Sequence, residues 1–244
     1  NGWRGRWERP KFSTRLRLSG VPSANASQGG AGGTYIIPVT YDDGAGGSFT
    51  TNVTITITNP APIAQNDSLV TNEDTAINGS MFAANGAGID ADPDGDSFSV
   101  TEVGGSAANV GAATDGDNGG SFTINPDGSY SFDPNGAFED LAVGETRTTS
   151  LTYTIDDGEG GTDTATVSIT ISGVNDGPIP LDPANPGAPP VDPSAYIPAQ
   201  TAGDSETVTP LNVAQYFADP DGSDSVILTI DPADLPAGLS FDGT

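Results

Sequence analysis

The sequence predicts an all-β protein built from β-sandwich modules in tandem, and three observations carry that expectation. Residues 42–57 (DDGAGGSFTTNVTITI) and 156–171 (DDGEGGTDTATVSITI) share ten of sixteen positions at a fixed offset of 114. A period of domain length marks a repeated module rather than one catalytic body. The most regular stretches alternate apolar and polar residues with period two, the signature of half-buried strands. No segment sustains a helical period.

The elements are set by local pattern. Leu151, Tyr153 and Ile155 alternate with Thr152 and Thr154, and Ala165, Val167, Ile169 and Ile171 alternate with Thr164, Thr166, Ser168 and Thr170. Residues 156–161 (DDGEGG) form the glycine-rich turn between them, so the two runs read as an antiparallel hairpin. Residues 49–57 read the same way. An earlier hairpin turns at Asn125-Pro126-Asp127-Gly128, where proline presets φ and glycine accepts a positive one. Phe122 and Ile124 alternate into that turn, and Tyr130 and Phe132 alternate out of it. Weaker strands are expected over 68–71 and 97–103, and a short helix over 137–142. Many short strands and turns in about 115 residues argue for a sandwich of immunoglobulin or cadherin type.

This organisation gives boundaries. Residues 18–62 are the end of a degenerate module, and 63–178 form the complete one. Eight of the chain's twenty prolines fall in 178–198, so 179–195 reads as a semi-rigid extended linker. A third, partial module covers 196–244. Its AQYFADPDGSDSVILTI parallels MFAANGAGIDADPDGDSFSV of the second, matching Asp219-Pro220-Asp221-Gly222 to Asp92-Pro93-Asp94-Gly95. The chain starts at Asn1 rather than Met and stops mid-phrase at Thr244, and is expected to be a fragment of a longer protein.

The net charge is −26, and six of the seven basic residues lie within the first 17. That basic segment also holds Trp3 and Trp7, and is set aside as linker or foreign sequence. The rest, with Arg147 as its single base, repels nucleic acid and anionic membrane surfaces and attracts cations. Cysteine and histidine are absent, which excludes disulfides, thiolate or imidazole metal sites, and Ser-His or Cys-His catalysis. No apolar run is long enough to span a membrane.

The acidic clusters carry the chemistry that remains. The densest is Asp90-Ala91-Asp92-Pro93-Asp94-Gly95-Asp96. Carboxylates at alternate positions around a glycine turn can converge on a hard cation, and calcium takes six to eight oxygen ligands in irregular geometry. The plainer reading is a solvated acidic turn. Further candidate ligands are Glu73 and Asp74 after the module's first strand, and Asn175 and Asp176 at its end. Asp157 at the hairpin tip and Asp219, Asp221 and Asp224 in the third module complete the set. Acids in repeated glycine-rich turns do not supply the enclosed pocket that paired catalytic carboxylates need, so no enzyme is expected.

Residues 119–178 closely resemble the VCBS repeat of bacterial surface proteins, through "NPDGSYSFDP", "LAVGET", "YTIDDGEGGTDTATVSITI" and the closing "NDGP". Residues 34–62 resemble the end of a preceding copy, which closes on Asn59-Pro60-Ala61-Pro62 without the Asn-Asp pair. The third module, with "FADPDGSD" and "LPAGLSFD", is similar to dystroglycan-type cadherin-like or immunoglobulin domains. The resemblance implies tandem immunoglobulin/cadherin-like sandwiches in an RTX-type adhesin stalk, secreted by a type I system to the bacterial surface and serving adhesion and biofilms. It implies calcium as cofactor, with Asn175-Asp176-Gly177-Pro178 partly matching a cadherin inter-module calcium boundary. Partners would be neighbouring repeats, with homophilic or glycan contacts, and neither nucleic acid nor membrane insertion. The alternative is a carbohydrate-binding module, whose aromatic platform would have to come from Phe98, Tyr130, Phe132, Phe138 and Tyr153.

Overall fold

A computed structural model describes residues 19–23, 26–27, 33–42, 44–182, 184, 197–201, 205–208, 210–221 and 225–239. The basic start, residues 1–17, lies outside them, as do Asp224 and most of the proline-rich linker. The chain divides into two compact units, residues 1–59 with 94–96, and residues 60–93 with 97–244.

Among its described residues, the first unit contains one hairpin. Strands β1 (Thr34–Asp42) and β2 (Ser48–Thr56) pair antiparallel from Thr34↔Thr56 to Asp42↔Ser48. They are the first copy of the internal repeat. Ile36, Tyr41 and Phe49 are exposed.

The second unit contains a complete sandwich of two four-stranded sheets. One has the order β3 (Asp67–Asn72), β10 (Thr162–Ser172), β9 (Thr146–Asp156), β5 (Ser99–Val103). The other has the order β4 (Ile77–Ser80), β8 (Ser129–Asp133), β7 (Ser121–Ile124), β6 (Thr114–Asp115). The β9–β10 hairpin is the second copy of the repeat and the spine of its sheet. It joins Thr146↔Ser172 through Thr162↔Asp156 without a register break. The weaker strands expected over 68–71 and 97–103 are β3 and β5. The module's first strand β3 runs parallel to its last strand β10, with Asp67 opposite Val167 and Asn72 opposite Ser172.

Period two sorts the residues. Ala165, Val167, Ile169 and Ile171 face in, and the Ser and Thr residues between them face out. Phe122, Ile124, Tyr130 and Phe132 come from the opposite sheet, and Met81, Phe138 and Leu141 close the core. Phe122 and Phe132 pack with ring centroids 4.7 Å apart. The Tyr130, Phe132, Phe138 and Tyr153 side chains are therefore buried and Phe98 packs against the same core, so these rings form interior rather than an exposed platform.

Residues 137–142 do not form the expected helix. Two successive turns, Ala137 N–H to Pro134 carbonyl and Leu141 N–H to Phe138 carbonyl, carry Phe138 and Leu141 into the core. Asn135 (φ 52°) and Gly136 (φ 66°) take left-handed conformations just before it, and Gly144 (φ 91°) just after. Seven residues between such breaks are too few to repay helix nucleation.

Past the module, β11 (Ile179–Pro180) pairs antiparallel with β12 (Phe217–Ala218), which comes directly after a 3₁₀ turn over Ala214–Tyr216. The expected linker thus begins as a short strand tied to the third segment. The Leu181 amide also donates to the Tyr216 carbonyl at 2.7 Å.

Candidate metal centre

The end of the β3–β10 ladder sets the site. The Glu73 amide donates to the Ser172 carbonyl, which puts Glu73 beside the chain leaving β10. Its Oε1 accepts the Val174 amide across that exit. Asp176 lies two residues later, and its own amide donates to Asp221 Oδ2 at 3.1 Å. Asp219 Oδ1 accepts the Asp221 amide at 3.2 Å, shaping the Asp-Pro-Asp turn. Glu73 and Asp221 thus each spend one oxygen on backbone positioning.

Their other oxygens converge. Glu73, Asp176 and Asp221 offer carboxylate oxygens all within 4.8 Å of one another. Glu73 is 2% exposed and Asp221 1%. Glu73 Oε2, Asp176 Oδ2 and Asp221 Oδ1 are buried without a hydrogen-bond partner. Burying several carboxylates without compensation is costly, and the described residues bring no basic side chain into the cluster. Burial pushes Glu73 above the usual carboxylate range, and Asp176, Glu139 and Asp221 push it further. Asp176 is raised by burial and then by Asp221, Asp74 and Asp219. Oxygens up to 4.8 Å apart can share an ion bonded at about 2.3–2.6 Å to each, so the donor set fits calcium.

The structure thus brings together three of the regions singled out in sequence: Glu73-Asp74, Asp176 and Asp219-Asp221. It adds Glu139, from the turn before Leu141, which is raised by burial and then by Asp176 and Asp74. Nothing in its spacing sets Glu139 apart from Asp140, which instead forms the 2.7 Å ion pair with Arg147. Asn175 is exposed, and its Nδ2 donates to the Asp176 carbonyl.

The dense acidic loop separates into two parts. Asp92, Asp94 and Asp96 offer oxygens within 4.8 Å of one another, as their alternate spacing suggests. Asp90 turns inward, its Oδ1 accepting the Gln65 amide at 2.6 Å and its Oδ2 the Tyr153 hydroxyl at 3.0 Å. Asp157 is drawn into its own hairpin loop, where Oδ1 accepts the amides of Glu159 and Gly161.

Residues 59–173 match the family of bacterial cadherin-like domains. No curated protein matches the chain. Among solved structures, a nucleoside hydrolase-related hypothetical protein from Saccharophagus degradans, associated with carbohydrate metabolism, aligns at 16% identity and a TM-score of 0.29. That alignment covers 48% of this chain and 26% of that one. The extracellular cadherin domains 3–6 of protocadherin gamma B2 align at 19% identity and a TM-score of 0.27, over 61% of this chain and 35% of that one. This chain therefore spans about a quarter to a third of those two structures.

Proposed function

We propose that the chain is a segment of an extracellular bacterial adhesin stalk, in which calcium joins successive cadherin-like modules and stiffens them. The convergence of Glu73, Asp176 and Asp221, each with a buried oxygen lacking a protein partner, is the observation that carries this reading. Glu73 and Asp176 lie at the two ends of the complete module, and Asp221 comes from the segment after it. A divalent ion held by all three ties the module's exit to that next segment. It also removes the repulsion from neighbouring carboxylates that helps to raise Glu73, Glu139 and Asp176. Because the ion binds the folded arrangement, its binding free energy adds to folding stability.

The exposed charge of the body discourages nucleic acid, and among the described residues no helix is long and apolar enough to cross a membrane.

Isothermal titration of the whole chain with calcium tests the reading. At least one site is expected, with affinity lowered by at least roughly ten- to hundred-fold by Asp221→Asn, since losing even an outer-shell partner of a metal ligand typically costs that much. If calcium binds identically to wild type and to Asp221→Asn and Glu73→Gln variants, the junction is not its site.

A further inference from the structure

A second group of buried acids lies in the interior of the complete module, away from the junction. Asp67 opens β3, where its backbone pairs with Val167 on β10 and bridges to Gly86. Its side chain is 3% exposed, and Oδ2 has no hydrogen-bond partner. Tyr153, fully buried on β9, places its hydroxyl 3.0 Å from Asp90 Oδ2 and 3.1 Å from the Gln65 carbonyl. Asp90 is 5% exposed and accepts from both that hydroxyl and the Gln65 amide, so it is satisfied as an anion. Two buried carboxyls therefore share the neighbourhood of a single hydroxyl hydrogen, and Asp67 is left short of one.

The groups facing Asp67 offer no positive charge. Tyr153 comes from β9, Asp90 from the loop between β4 and β5, and Tyr130 from β8. Asp163 on β10 adds negative charge at Asp90. The chain has no histidine, and Arg147 sits four residues from Leu151, the β9 residue level with Val167, where it pairs with Asp140. A buried carboxyl without a counter-ion takes up a proton rather than remain charged.

We propose that Asp67 is a proton-binding site: the protonated carboxyl donates to the Tyr153 hydroxyl, which donates to the Asp90 carboxylate, closing a chain that locks β3 onto the sheet. Proton binding converts one carboxylate to a carboxylic acid, with solvent as the proton's source and sink. Burial pushes the Asp67 carboxyl up to about 7, with Asp90 raising it and the nearby Tyr153 hydroxyl lowering it. The lock therefore forms progressively as pH falls through about 7. Above it, two buried anions face each other at the first rung of the β3–β10 ladder. In a chain without histidine, this aspartate is a group placed to sense pH near neutrality. The site is independent of calcium at the junction.

Carboxyl-carbon NMR of the isotopically labelled full chain, recorded in excess chelator across pH 4–9, tests it. One aspartate is expected to titrate within about a unit of 7, and its signal should vanish in Asp67→Asn. A midpoint below about 6 for every aspartate overturns the proposal, since ordinary aspartates titrate near 4. Survival of the neutral-pH signal in Asp67→Asn overturns it equally. If Asp67→Asn does not fold, two other variants decide through the midpoint. Asp90→Asn should lower it by removing a negative neighbour, and Tyr153→Phe should shift it by removing the hydroxyl that links the two carboxyls. A midpoint unmoved by both means that the chain of hydrogen bonds is not there.

Discussion

Gly120 shows how tightly single residues are specified inside the sandwich. Its φ is +72°, and a Cβ built there would lie 2.5 Å from two ring atoms of Phe132. Gly120→Ala therefore combines a left-handed backbone with overpacking of a fully buried ring. It is expected to destabilise the chain by about 2–4 kcal/mol. Gly105 also has a positive φ, +73°, but its Cβ would meet open space. Gly105→Ala should cost only the backbone term, about 1–2 kcal/mol. Denaturant midpoints of the two variants separate steric from conformational effects, and equal midpoints would remove Phe132 from the argument. At the same scale, Thr149 is a polar residue that the core can hold because its hydroxyl donates to the Gly119 carbonyl at 2.8 Å.

At the scale of elements, the β9–β10 hairpin is the part most dependent on alternation. Ile169 is fully buried and its neighbour Thr170 faces out. Ile169→Ala is expected to cost about 2–5 kcal/mol, and Thr170→Ala under about 1 kcal/mol. Equilibrium unfolding checks the difference, and comparable losses would mean that the hairpin does not have one buried face. This hairpin was legible in the sequence because every determinant of it is local: β-branched residues, period two, and a glycine-rich turn held by Asp156 and Asp157. The parallel pairing of β3 with β10 was not legible, because it joins residues 100 apart and leaves no local mark. The metal centre divides along the same line. The acidic regions of Glu73, Asp176 and Asp221 could be picked out as calcium-like, but their convergence depends on that non-local pairing and on the turn at Asp219. Glu139 was missed because it reaches the cluster from a turn whose role appears only once Phe138 and Leu141 are buried. Asp67 was missed for a different reason: nothing in its local sequence sets it apart, and only burial beside Tyr153 changes its chemistry.

For the whole molecule, the acids make stability depend on pH in a way that calcium should reverse. Without a cation, Glu73, Glu139, Asp176 and Asp67 all have folded-state affinities for protons above their unfolded values. These four groups bind more protons in the folded chain than in the unfolded one, so the stability they contribute is full at low pH and is lost as pH rises through the raised values. For Asp67 that loss runs from about 4 to about 7. On the proposed reading, saturating calcium would hold the junction carboxylates as anions, and protons would compete with the metal there, so the calcium-bound increment should grow with pH. The rise in melting temperature on adding calcium should accordingly be small at pH 5 and larger at pH 8. A free concentration a hundred times the dissociation constant corresponds to about 2.7 kcal/mol. Sodium chloride at matched ionic strength should reproduce little of it, because the ligand oxygens are buried and simple screening acts mainly on exposed charge. Melts of the full chain at several pH values, in chelator and in calcium, measure both slopes. A calcium increment that is the same at pH 5 and pH 8 would show that the ion is not held by these carboxylates. A wild-type fall in stability toward pH 8 in chelator that persists unchanged in Asp67→Asn would place its source at the junction alone.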